Sequence, residues 1–115
     1  MTSADPEGGL SDAVVVLARR ARARNVGRAR RILELLDAPG APLDRAAREE
    51  AEHLCHTVTG SASTFGDLEL AGATQRLEAA LHDGRAQDAA AALDAVRTAI
   101  APADEAPGSP DTAGA

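Results

Sequence analysis

Lysine, tryptophan and tyrosine are absent from this 115-residue chain, and Phe65 is its only aromatic residue. A core without aromatics must be built from Leu, Val, Ile and Ala, which suits packed helices better than strands. With alanine abundant and all basic residues arginine, the composition has the look of codon bias in a GC-rich genome. A single cysteine, Cys55, excludes an internal disulfide framework. No apolar run approaches the ~20 residues needed to span a bilayer. Met1 to Gly9 carries no basic segment followed by an apolar one, so no secretory signal is read, and a soluble, cytoplasmic protein without membrane contact is expected. No Gly-rich nucleotide loop and no paired catalytic acid and base are visible, which argues against a kinase or another enzyme.

The formal net charge of -6 disfavours nucleic acid as a partner. The charge is uneven. Arg19, Arg20, Arg22, Arg24, Arg28, Arg30 and Arg31 crowd the first third of the chain. No aromatic residue is available to stack on bases, and the run is read as a solvated helix face.

The length suffices for one domain with one core. Residues 1–9 and 102–115, rich in Gly, Pro and small polar residues, are expected to be disordered ends around a helical unit at 10–101. Ser11 or Asp12 would cap a long first helical segment carrying Leu10, Val14, Leu17 and Ala21. Its phase continues past a possible break at Asn25–Gly27 through Ala29, Ile32, Leu33 and Leu36. Pro39, Gly40 and Pro42 then force a stop. A second helix starts near Leu43 or Asp44 and runs to about Thr64. Gly66 ends it, and Asp67 caps a third with Leu70, Ala73, Leu77 and Leu81, closed by Gly84. A fourth, over 85–101, carries Ala89, Leu93, Val96 and Ile100. Short connections between such helices predict an all-α, up-and-down antiparallel four-helix bundle with a long N-terminal helical segment.

The second helix holds the most informative pattern. At 100° per residue, Ala47, Leu54, Val58, Ser61 and Phe65 form its buried stripe, and His56 lies on the opposite side, with Glu49, Glu52, Gly60 and Ser63 near it and His53 and Thr59 on its flanks. Glycine inside a helix costs about 1 kcal/mol relative to alanine. Gly60 stands one turn above an outward-facing imidazole, where it clears room beside the ring and relieves nothing in the core. A neutral imidazole nitrogen is a nucleophile toward a phosphoryl group. Glu52, one turn earlier, is positioned to engage the other ring nitrogen and fix the tautomer.

These positions resemble the histidine phosphotransfer (HPt) domain family: His56, Gly60, Ser61, Ala62, Phe65, Gly66, Leu70, Ala71, Leu77 and Glu78 match its signature in spacing. The resemblance implies a phosphocarrier rather than an enzyme. His56 would take a phosphoryl group from an aspartate on a response-regulator receiver domain, or on a hybrid sensor kinase, and pass it to another receiver in a two-component phosphorelay. It implies no cofactor on this chain, the Mg²⁺ being the receiver's. The family usually carries lysine three residues after the histidine; here that residue is Thr59, a neutral hydroxyl donor. Glu52, His53, Thr59, Gly60 and Ser63 make up the expected contact surface, with Thr74 or Gln75 added from the next helix.

Two other readings use the same residues. His53, Cys55 and His56 suggest a metal site, but Cys55 lies roughly 100° round the helix from His56, so the three cannot converge, and Cys55 is read as a packing residue. An HPt-like or all-α adaptor that binds a protein partner without carrying phosphate is the alternative function, with the arginine-rich first helix as one contact face.

Overall fold

The computed structural model describes residues 6–37 and 44–102, with side chains from Ser11 onward. Four helices follow in order: α1 (Pro6–Leu36), α2 (Arg45–Thr64), α3 (Leu68–Asp83) and α4 (Ala86–Ile100). Each packs on the next, and α4 returns to a slighter contact with α1, so the chain runs up and down around one core. No strand occurs among the described residues.

The first helix departs from expectation at its start. It begins at Pro6 rather than at a Ser11 or Asp12 cap. Proline suits the first helical position because its missing N–H would be unpaired there and its φ is already helical. Residues 1–5, the Pro39–Pro42 stop and residues 103–115 lie outside the described residues. The helix runs unbroken through Asn25–Gly27. Gly27 is exposed, and the buried Asn25 has both ends of its amide satisfied. Its Nδ2 donates to Ser61 Oγ across the α1–α2 contact at 3.0 Å, and its Oδ1 accepts from Arg28 at 2.9 Å.

Helix α2 is capped by Asp44, whose carboxylate accepts from the Ala47 N–H at 2.7 Å. Replacing Asp44 with alanine is expected to cost about 1 kcal/mol. Thermal unfolding followed by circular dichroism should show this as a midpoint lowered by roughly 4–8 °C for a domain of this size. The helix ends in a Schellman arrangement: Asp67 N–H reaches the Ala62 carbonyl at 2.8 Å, Gly66 N–H reaches that of Ser63 at 3.3 Å, and Gly66 takes φ 82°. Gly84 closes α3 in the same way with φ 71°. Asp67 precedes α3, but its side chain makes no cap bond; it pairs instead with Arg22 Nη1 at 2.8 Å. Arg22 Nη2 also donates to the Ala99 carbonyl at 2.8 Å, so one guanidinium joins α1, the α2–α3 turn and the end of α4.

The core is aliphatic. Ile32, Val58, Leu70, Leu77 and Val96 are its largest fully buried members, with Cys55 and many alanines between them. On α2 the buried residues are Ala51, Cys55, Val58 and Ala62, while Leu54 and Ser61 are half-buried. The buried stripe is therefore turned about 60° toward Cys55 from the one expected. The cause is that α2 is wedged between two neighbours, α1 on its Leu54–Ser61 side and α3 on its Cys55–Thr59 side. Phe65, expected in the stripe, is 36% exposed. It is the C-cap residue, with φ -101° and ψ 13°, so it no longer follows the helical wheel.

Candidate functional site

The rotation of α2 decides what surrounds His56. The histidine stays outward, its side chain 79% exposed. The flank carrying Glu52 and Thr59 turns toward α3, and the flank carrying His53 turns to solvent.

Across the groove to α3, Glu78 Oε2 stands 3.6 Å from His56 Nδ1. That is long for a hydrogen bond and within range of charge attraction. The opposite ring nitrogen, Nε2, has no hydrogen-bond or ion-pair partner among the described residues. Glu52, the carboxylate expected beside His56, is directed elsewhere: it lies 3.8 Å from Arg48 Nε and 3.6 Å from His82 Nδ1. The acid facing the imidazole therefore comes from α3. Its sequence signal was the Leu77–Glu78 pair, which the helical wheel of α2 alone has no means of placing beside His56.

Gly60 is exposed, and a Cβ built on it meets nothing within 4 Å. The surface one turn above His56 is thus backbone and open space. His53 and Ser63 are also exposed, and the Thr64 hydroxyl is turned back to the Gly60 carbonyl at 2.9 Å. Of the two α3 residues expected at the contact surface, Thr74 is fully buried and Gln75 is exposed.

The Thr59 hydroxyl is paired with α3. Its Oγ1 lies 2.8 Å from Thr74 Oγ1, and Thr74 Oγ1 donates to the Leu70 carbonyl at 3.0 Å, with that of Ala71 at 3.2 Å. A hydroxyl has one proton. The one proton of Thr74 can go to its own helix backbone or to Thr59, so either threonine can be the donor in the pair, and the Thr59 hydroxyl is tied to α3 in both cases.

Cys55 is fully buried, and its thiol is pushed up to about 12, chiefly by burial and further by the carboxylates of Glu78 and Glu52. A thiol held neutral and enclosed is neither a metal ligand nor a reactive nucleophile. No group of three or more His, Cys, Asp or Glu able to hold a metal ion occurs among the described residues. No described helix is long and apolar enough to cross a membrane.

A second exposed imidazole, His82, imitates the first, with 77% of its side chain accessible and Glu52 at 3.6 Å. It sits in the last turn of α3 beside Gly84, without the cleared helical surface that Gly60 provides one turn above His56.

The chain matches the family model of the Hpt domain over residues 22–106. The chain belongs to the Hpt domain family. The match covers all of α2, α3 and α4 and begins at Arg22, within α1. No curated protein and no solved structure matches the chain. Hpt domains act in phosphotransfer within two-component systems, as phosphocarriers rather than enzymes, and interact with receiver domains and kinases.

Proposed function

We propose that this Hpt protein serves a two-component phosphorelay, with His56 accepting a phosphoryl group from a receiver-domain aspartate and passing it to another receiver. One observation carries the reading: an imidazole 79% exposed stands beside a helical surface cleared of side chains at Gly60. A receiver must bring an aspartyl phosphate within bonding distance of a ring nitrogen, and the bare turn lets a bulky partner seat there.

Glu78 opposite Nδ1 favours the tautomer with its proton on Nδ1, which leaves a lone pair on Nε2. In the forward step Nε2 attacks phosphorus, the N–P bond forms, and the receiver's carboxylate leaves with the P–O electron pair. The ring then carries a positive charge with its Nδ1 proton, and Glu78 stabilises it. Glu78 is a positioning residue. His53, Gly60, Ser63 and Gln75 form the docking surface around the ring. Alignment and charge stabilisation carry most of phosphoryl transfer, and the receiver brings its own carboxylate and Mg²⁺. The protein therefore needs no cofactor and works in the cytoplasm with receivers or a hybrid kinase.

The test is to incubate the purified protein with a phosphorylated receiver and Mg²⁺. Acid-labile label located at His56 by mass spectrometry is expected; label on no histidine would refute the assignment.

A second reading, an Hpt-like adaptor that binds receivers without carrying phosphate, is favoured by a neutral threonine, its hydroxyl paired with Thr74, standing three residues after His56. Thr59→Lys separates the two. A lysine there brings a charge-assisted donor toward the phosphoryl oxygens, and about 1.4 kcal/mol gained in the transition state gives a tenfold faster transfer. Single-turnover transfer from a phospho-receiver should show that gain, together with a stability loss on the order of 1 kcal/mol from the broken hydroxyl pair. An adaptor would show no transfer with either residue.

A further inference from the structure

Helix α1 outreaches the bundle. Arg22 meets Asp67 in the α2–α3 turn and Val15 still lines a groove with Phe65 and Gly66, so the helix from Pro6 to about Val14 projects beyond that turn for roughly 13 Å. At its base stand four consecutive apolar residues, Val14, Val15, Val16 and Leu17, with 58%, 47%, 43% and 50% of their surfaces exposed. It also lies outside the stretch that matches the Hpt family, which begins at residue 22. A short helix rich in β-branched residues is marginal without packing on something.

Its charge order says what it would pack on. Asp12, Val15, Val16 and Arg19 follow i, i+3, i+4, i+7 spacing and form one stripe, acidic at one end, apolar at the centre and basic at the other. Within the helix, Asp12 has no basic residue and Arg19 no acidic residue three or four positions away. Arg19 has no ion-pair partner among the described residues. Laid antiparallel against a copy of itself, with residues i and j paired so that i plus j equals 31, the stripe sets Asp12 against the other copy's Arg19 twice and Val15 against Val16 twice. Gly8 at one end then faces Ala23 at the other, which lets the helices approach closely. Such an isologous contact is self-complementary. The groove beside it, lined by Val15, Ala18, Arg19 and the half-exposed Phe65, adds apolar area at its rim.

We infer that two copies of this chain associate through an antiparallel pairing of their N-terminal α1 segments, with Asp12 and Arg19 fixing the register. A single pair of helices makes a small interface, so the dimer is weak and is sought at micromolar to millimolar concentrations. His56 lies midway along α2 on another face, and both copies keep it open.

Sedimentation equilibrium of the full chain from about 10 μM to 1 mM tests this. The mass is expected to rise from 11.7 kDa toward twice that value. Val16→Glu, pointing away from the bundle, should leave a monomer with an unchanged melting midpoint. Arg19→Glu should weaken association at least tenfold, and Asp12→Arg in the same chain should restore it. A monomer at every concentration, a dimer indifferent to Val16→Glu, or no rescue by the double reversal would each overturn the inference. Label on His56 in monomeric Val16→Glu would show that the phosphotransfer reading stands apart from it.

Discussion

Replacing His56 with glutamine is expected to abolish acid-labile phosphorylation while leaving the bundle intact. Glutamine keeps polarity and approximate reach but offers an amide in place of a nucleophilic ring nitrogen, so the transfer route is removed rather than slowed. The stability cost should be small, within roughly 0.5 kcal/mol, because surface substitutions away from caps and buried networks rarely exceed it. The 79% exposure of the side chain and the 3.6 Å separation from Glu78 put His56 in that class. The informative controls are the other two histidines. His53 is exposed on the same helix, and His82 has nearly the same exposure and carboxylate spacing as His56. His53→Gln and His82→Gln should retain full label in the assay with phospho-receiver. Label that survives His56→Gln and disappears in His82→Gln would move the site to the end of α3.

Much of this site was legible in the sequence because an exposed helical position depends on one helix alone. The outward direction of His56 and the openness at Gly60 follow from 3.6-residue periodicity, and a 60° error in the buried stripe does not reverse either. Positions near the boundary of the stripe are different. Thr59 and Glu52 sit where that error decides between solvent and a neighbouring helix, and both turned toward α3, one to pair with Thr74 and the other to approach His82 and Arg48. Glu78 was visible as part of a spaced pattern, but its place beside His56 depends on the register of α3 against α2, which no single-helix periodicity contains. The bundle itself was readable from its stops: Gly66 and Gly84 both take the left-handed conformation their positions suggested. The start of α1 is harder to read, because Gly8 and Gly9 weigh against a helix whereas Pro6 at its first position weighs for one.

Gly60→Leu is expected to stabilise the protein and disable it at once. The position is helical and exposed, its φ is not positive, and an added Cβ meets no neighbour. Removing glycine from such a site should therefore raise stability by about 0.8–1 kcal/mol. A rise of roughly 4–8 °C in the melting midpoint would report it. Function should move the other way. Helical side chains lean toward the N-terminus of their helix and cover the turn before their own Cα. A leucine at this position leans back over the turn that carries His56, about 5–6 Å away, where a receiver must seat. A displacement of ~1 Å from the reactive geometry costs on the order of 100-fold in rate, and a leucine displaces the partner by more than that. Transfer from a phospho-receiver should fall at least that far, with Gly60→Ala intermediate in rate and equal in stability gain. Opposite signs in two measurements on one variant are hard to obtain from a glycine retained for folding. A Gly60→Leu protein that melts higher and still transfers at the wild-type rate would show that nothing large approaches His56 from that side.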